Sequence, residues 1–162
     1  MRRILTAKVL NTAGVLNRFT GMLSRRQTNI ESISVGPTEV EHISRITIVI
    51  DVNTLNEVEI VVKQLNRMVD VLRVRDITDL PHLEREVVLI RIHAPAKLRS
   101  EIFTIIQPFR ASVIDVAEKT ITIQSTGTTQ KIEALIRSVH PYGIKKLART
   151  GVTGFTREKE GK

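Results

Sequence analysis

The apolar residues in the first half of the chain follow two different periods. Leu5, Ala7 and Val9 recur at every second position, as in a strand. The apolar residues of 15–25 recur instead at spacings of three, four and seven, as on one face of a helix. The same two periods continue to residue 77. The pattern predicts strands over residues 3–10, 29–36, 43–51 and 69–77, and helices over residues 15–25 and 55–65.

The second half repeats this order of elements. A strand over residues 86–93 precedes a helix that Pro95 opens and Pro108 ends, because proline suits the first turn of a helix and cannot continue its interior. A hairpin then turns at Glu118 and Lys119. The other predicted elements are strands over residues 111–116, 120–125 and 144–149 and a helix over residues 128–139.

Each half therefore has the order βαββαβ, which places two helices against one face of a four-stranded, mainly antiparallel sheet. The sequence predicts an α+β protein of two tandem ferredoxin-like units, over residues 1–78 and 84–150. Residues 79–83 interrupt the periodicity and are expected to form a linker. Residues 151–162 contain three glycines and no apolar period, which predicts a flexible tail.

The composition fits a soluble globular protein, since 41% of the 162 residues are hydrophobic and 26% are charged. No apolar run approaches the roughly 20 residues that span a bilayer, and MRRILTAKVL lacks a signal-peptide region. We therefore expect a cytoplasmic protein with no membrane association. The absence of cysteine excludes disulfides, thiolate nucleophiles and cysteine-ligated zinc.

The formal net charge of +8 is concentrated in the second half of the chain. Residues 1–80 carry 11 Lys and Arg against 9 Asp and Glu, whereas residues 81–162 carry 14 against 8. Such an excess suits RNA, DNA or an acidic protein surface. No block of five or six like charges occurs, however, so solvated surface accounts for most of these residues.

The chain contains no recognisable catalytic or metal-binding constellation. The histidines form no H-x-x-x-H pair, and the glycine-rich nucleotide motifs and the G-x-S-x-G nucleophile motif are absent. Glu31, Glu39 and Glu41 cluster near the first hairpin, which is typical of a solvated loop. We predict no catalytic residues and no metal site.

An RNA-binding module is the main alternative, because it shares the βαββαβ order and stacks bases on aromatic residues of its open sheet face. Aromatic residues make up only 3% of this chain. None lies on the first or third predicted strand of either unit, where ILTAKVL and ISRITIVI are aliphatic. Aliphatic sheet faces favour burial against protein, so nucleic-acid binding is not expected.

The turn between the first strand and the first helix is the remaining candidate site. The first N–H groups of a helix lack partners and carry partial positive charge, so the N–H groups of Gly14, Val15 and Leu16 could bind a carboxylate. Asn11 could cap the helix or contact the ligand, and Asn29 offers an amide beside the apolar Ile30. From the residue types alone, an ordinary N-cap at Asn11 and a tight turn at Gly14 are favoured over a ligand site.

Several longer sequence motifs show a resemblance to a known family. The segment NTAGVLNRFTGMLSRRQTNIESISVGPTE, followed by SRITIVI, resembles the regulatory small subunits of acetolactate synthase, also called acetohydroxyacid synthase. The likeness continues through KQLNRMVDVLRV, EREVVLIRI, IDV and RTGVTGF, and so covers essentially the whole chain. The combination of N-x-x-G-V-L-x-R with R-x-x-N-I-E-S is its most specific part.

The resemblance implies an N-terminal ACT domain that forms a homodimer and a C-terminal, ACT-like domain that helps to contact a catalytic large subunit. It implies a branched-chain amino acid effector, usually valine, at the dimer interface. By matching motif, the effector site comprises Asn11, Gly14, Val15 and Leu16 of one chain with Asn29 and Ile30 of its neighbour. Thiamine diphosphate, FAD and magnesium would belong to the catalytic subunit, with no cofactor in this chain.

Overall fold

The computed structural model describes residues 1–158, which divide into two units. The first unit comprises Met1–Leu83 together with the segment from Val152 onward, and the second comprises Glu84–Gly151. The last four residues of the predicted tail, 159–162, lie outside the described residues. Each unit contains a mainly antiparallel sheet and two helices, as the sequence predicts.

The first unit has the predicted βαββαβ order. Its sheet has the strand order β2-β3-β1-β4, so β1 and β3 are central and β2 and β4 form the edges. Strand β3 pairs with β1 from Ile43 opposite Leu10 to Asp51 opposite Arg2. The elements are β1 (Arg2–Leu10), α1 (Val15–Arg25), β2 (Asn29–Pro37), β3 (Ile43–Asp51), α2 (Leu55–Leu65) and β4 (Val71–Asp76).

Both helices bury the apolar faces that their spacing predicts. Helix α1 buries Phe19 and Leu23 completely against the sheet. Helix α2 begins after Thr54, whose hydroxyl accepts a hydrogen bond from the N–H of Glu57 at 3.3 Å and so caps the helix. The alternating residues Leu5, Ala7 and Val9 of β1 and Ile46, Ile48 and Ile50 of β3 complete this core.

The opposite face of the same sheet is partly covered by the end of the chain. Val152, only 2% exposed, packs in one apolar cluster with Ile4, Val49 and Ile77. Beyond it, strand β9 (Thr153–Thr156) belongs to the first unit. This ordered segment differs from the predicted flexible tail. The sequence does not predict this ordered segment because Val152 is a single apolar residue among glycines and its contact partners lie far away along the chain.

The second unit has the same topology, with the strand order β6-β7-β5-β8. Strand β5 begins at His82 and therefore includes the end of the segment expected to be a linker. The third helix is shorter than predicted because 3₁₀ turns over residues 96–98 and 107–109 flank it. The elements are β5 (His82–His93), α3 (Arg99–Ile106), β6 (Ser112–Val116), β7 (Thr120–Gly127), α4 (Thr129–Val139) and β8 (Ile144–Arg149).

The core of the second unit lies between its sheet and α3 and α4. Alternate residues of β5 and β7 meet the inward faces of the two helices, as the periodicity predicts. The fully buried members include Val88, Ile90, Ile92, Ile102, Ile123, Ile132 and Leu135. Within residues 1–158, every helix is too short or too polar to span a lipid bilayer.

Candidate functional site

The turn between β1 and α1 is built around Gly14. Its φ of 79° and ψ of 0° lie in the left-handed region, which favours glycine because other residues meet a Cβ clash there. No side chain in the part of the chain that the structure describes caps α1. The Asn11 backbone N–H instead donates to the His42 carbonyl at 2.7 Å, and the Asn11 side chain is exposed. Capping by Asn11 is therefore wrong, and its amide remains available to a ligand.

The first N–H groups of α1 are not equivalent. The Val15 N–H donates to the carbonyl of Thr12 at 3.2 Å. The N–H groups of Gly14 and Leu16 have no hydrogen-bond partner among residues 1–158. Of the three consecutive donors that the sequence suggests, those of Gly14 and Leu16 are therefore free. The Val15 side chain, which is 8% exposed, lies in the core of the first unit.

An ion pair that the sequence analysis missed holds this turn in place. The Arg18 guanidinium donates to the carboxylate of Asp70, with Nε at 2.8 Å and Nη2 at 2.6 Å from Oδ2. The other carboxylate oxygen accepts a hydrogen bond from the Thr12 hydroxyl at 3.2 Å, and Arg18 Nη1 donates to the Ala13 carbonyl at 3.2 Å. The Asp70 carbonyl also accepts from the Leu10 N–H at 2.8 Å.

These contacts form a clamp, consisting of Arg18 and Asp70, that joins the turn to the start of β4. Arg18 was visible in the N-x-x-G-V-L-x-R motif, but nothing near Asp70 in the sequence indicates its role. The clamp also lies close to the glycine. A Cβ on Gly14 would come within 2.8 Å of Arg18 Nη1, so a larger residue there would disturb both the backbone and the guanidinium.

The structure does not bring all the predicted site residues together within one chain. Asn29 begins β2 and pairs with Asp51, whereas Leu10, just before the turn, pairs with Ile43. Positions 43 and 51 are eight steps apart along β3, which corresponds to roughly 27 Å at the usual rise of a strand. Asn29 and the Gly14 turn therefore lie at opposite ends of the sheet.

Strand β2 is an edge strand with one side free of backbone pairing within residues 1–158. Its side chains are exposed or half-buried, and Val35 is 46% exposed. Ile30 and Ile33 are only partly buried against the core. A nine-residue edge of this kind readily pairs with another strand. Within residues 1–158, no group of three or more His, Asp or Glu residues is arranged to hold a metal ion.

Two successive βαββαβ units, the first with a left-handed glycine before α1, define a protein of tandem ACT-type domains. Family comparisons agree with this class. Residues 5–73 match the AHAS small subunit-like ACT domain, and residues 85–158 match the family described as the small subunit of acetolactate synthase. The chain belongs to the acetolactate synthase small-subunit family.

Individual relatives cover the whole chain. The acetolactate synthase small subunit of Bacillus subtilis is 51% identical over 162 residues, which is 100% of this chain and 94% of the relative. That of Lactococcus lactis is 57% identical over 157 residues, covering 97% and 99%. The crystal structure of the Thermotoga maritima small subunit superposes with a TM-score of 0.89 at 31% identity, covering 99% of both chains.

Proposed function

We propose that this protein is the regulatory, non-catalytic subunit of acetolactate synthase in branched-chain amino acid biosynthesis. It pairs with the catalytic large subunit, raises its activity and transmits feedback inhibition when valine binds. The effector pocket lies between the Gly14 turn of one chain and Asn29 and Ile30 of the partner subunit. The observation that carries this proposal is the pair of free N–H groups at a turn fixed by the Arg18–Asp70 clamp.

The chemistry of the turn suits a free amino acid. The N–H groups of Gly14 and Leu16 would bind the carboxylate, assisted by the positive end of the α1 dipole. Amide oxygens of Asn11 and of the partner's Asn29 would accept hydrogen bonds from the ammonium group. The side chains of Leu16, which is 41% exposed, and of the partner's Ile30 would form the aliphatic wall.

The positions of these residues in the sheet support a shared site. If β2 of one chain pairs antiparallel with β2 of a second chain, the Asn29 end of one strand lies beside the Pro37 end of the other. In each chain, the end of the sheet that contains Pro37 also carries the Gly14 turn, because Pro37 pairs with Ser44 and Ser44 pairs with Val9. Two-fold pairing would therefore create two complete pockets for each dimer.

Cofactor chemistry is assigned to the catalytic partner. Thiamine diphosphate, FAD and magnesium are expected there, and the proposal gives this chain no step in the reaction. Its contribution is a coupling free energy between the effector pocket and the partner's active site, for which about 1–3 kcal/mol is typical.

The first test measures acetolactate formation by the cognate large subunit, with and without this chain and with and without valine. We expect the chain to raise the rate and valine to reverse part of that increase. A thermal-shift titration of the chain alone should show stabilisation by valine and none by lysine, with leucine and isoleucine defining side-chain selectivity. Activity that responds to neither the chain nor valine would contradict the proposal.

Gly14→Asp tests the position of the pocket. The new carboxylate would lie beside the N–H groups that should hold the ligand, so we expect valine inhibition to weaken by at least about tenfold, a loss of about 1.4 kcal/mol in binding. Activation of the large subunit should remain, which also reports correct folding. Gly21→Asp is the matched control, since a Cβ at Gly21 meets no atom within 4 Å. If the valine concentration that inhibits the wild type inhibited Gly14→Asp equally well, the assigned pocket would be refuted.

A further inference from the structure

A basic cavity lies on the sheet face that α1 and α2 do not cover. Its volume is about 300 Å³, and it is lined by Lys8, Arg45, Arg73 and Arg75 of the sheet together with Phe155 of β9. The remaining lining residues are Thr6 and Thr156, so none of the residues within 1–158 that line the cavity is acidic. All of these residues belong to the first unit.

The strand register places three of the cations in one row. Lys8 on β1 is the direct partner of Arg45 on β3 and of Arg73 on β4. The next row towards the start of β1 pairs Thr6 with Arg75. Neighbouring strands are about 5 Å apart, and like charges directly opposite one another destabilise a sheet. The free protein therefore holds these cations together at an electrostatic cost.

Little within residues 1–158 neutralises the charge of this row. Glu39 approaches Lys8, but at 3.9 Å and with 72% of its side chain exposed. Arg45 lies 5.8 Å from the centre of the Phe155 ring, a cation–π contact that leaves the charge uncompensated. Arg73 and Arg75 form no ion pair among the described residues. By contrast, Arg3 and Arg18 in the same unit contact aspartates at 2.6 Å.

The end of the chain turns this basic row into a cavity. Val152 seals one part of the sheet face by packing with Ile4, Val49 and Ile77. The following β9 then provides Phe155 and Thr156 as a wall beside the basic residues. The half-buried Lys8 and Arg45 and the exposed Arg73 and Arg75 consequently line one half-open cavity.

We propose that this cavity binds a small multivalent anion of the phosphate class. Guanidinium groups match phosphate oxygens with two parallel hydrogen bonds, and several cations suit an anion with more than one charge. The volume is at the lower end of the range for small-molecule sites, which fits a compact ligand. The cavity lies across the sheet from α1, so the inference is independent of the proposed valine site.

Isothermal titration of the full chain with sodium pyrophosphate, at constant ionic strength, tests this assignment. We expect saturable binding to the wild type. Loss of the Arg73 charge in Arg73→Gln should weaken binding by about tenfold, as expected for one hydrogen-bonded charged contact. Arg67→Gln is the matched control, since exposed Arg67 lies in the turn after α2 and does not line the cavity. Its dissociation constant should stay within about twofold of the wild type.

Folding and selectivity complete the test. Without ligand, Arg73→Gln should melt at or above the wild-type temperature, because one repelling charge is removed; if it folds poorly, Arg75→Gln provides the same comparison. Citrate should bind more weakly than pyrophosphate. The proposal fails if pyrophosphate does not bind, if citrate binds equally well, or if Arg67→Gln has the same effect. It also fails if the protein binds single-stranded RNA or an acidic peptide through Arg73 but does not bind pyrophosphate.

Discussion

At the scale of single residues, the structure refines the Gly14 turn from three expected donors to two and adds the Arg18–Asp70 clamp. Gly14 was identifiable because glycine is the usual solution where a strand turns into a helix with a left-handed residue. The bond from Val15 to Thr12 depends on the actual path of the turn. Asp70 is separated from Arg18 by 52 positions, so only the folded sheet shows their contact.

The clamp leads to a prediction about effector binding. Asp70→Asn keeps the shape of the side chain but removes the charge that holds Arg18, so the turn should become more mobile. We expect valine to inhibit the holoenzyme about tenfold less strongly, whereas the free energy of unfolding should fall by only about 1 kcal/mol, since Arg18 is half exposed. Inhibition curves and urea unfolding measure the two effects.

Asp115→Asn is the control for this prediction. Asp115 is 60% exposed and faces Arg91 at 3.9 Å, so its substitution removes a weaker ion pair that belongs to the second unit, whereas the turn belongs to the first. It should leave valine inhibition unchanged. Equal responses of the two variants to valine would show that the clamp does not position the effector turn.

At the scale of secondary-structure elements, the sequence predicted the βαββαβ order and most element bounds, because helix and strand periods are locally encoded. Helix α1 has the predicted bounds, Val15–Arg25. The largest difference within an element is at α3, where 3₁₀ turns replace its ends. Periodicity cannot distinguish these helix types over three residues. Neither could it show that the Gly14 turn and Asn29 lie at opposite ends of one sheet, since that follows from the pairing register.

Because the Gly14 turn and Asn29 lie at opposite ends of the sheet, a substitution in strand β2 can test whether two chains share the site. Ser34 lies near the middle of β2, where a two-fold axis would bring it close to its copy in a second chain. Ser34→Lys should therefore introduce like-charge repulsion and raise the dimer dissociation constant by at least about tenfold. Sedimentation equilibrium measures the dissociation constant, and thermal shift measures valine binding, which should be lost together with the dimer.

The other edge of the sheet provides the matched substitution. Leu72 on β4 is 50% exposed, and Leu72→Lys adds the same charge to an edge strand that the proposal leaves outside the dimer. It should remain dimeric and bind valine. A Ser34→Lys monomer that still binds valine normally would contradict a pocket shared between chains.

At the scale of the whole molecule, the tandem organisation was predictable because the same order of elements occurs twice. The packing of Val152 and the following strand β9 with the first unit was not predictable from the sequence. Val152 and Phe155 stand among small and polar residues without a period, and their roles arise from contacts with strands formed more than 70 positions earlier. A local pattern could show only that residues 151–156 resemble no regular helix or strand.

Val152 should therefore contribute to the stability of the first unit although it follows the second in sequence. Val152→Ala removes two buried methyl groups from the cluster with Ile4, Val49 and Ile77, which should lower the free energy of unfolding by about 1–3 kcal/mol. Val69→Ala makes the same change at a side chain that is 94% exposed and should have almost no effect. Urea unfolding, followed by far-ultraviolet circular dichroism, measures both. A mobile chain end would give equal midpoints for the two variants, whereas an anchored one lowers the midpoint only for Val152→Ala.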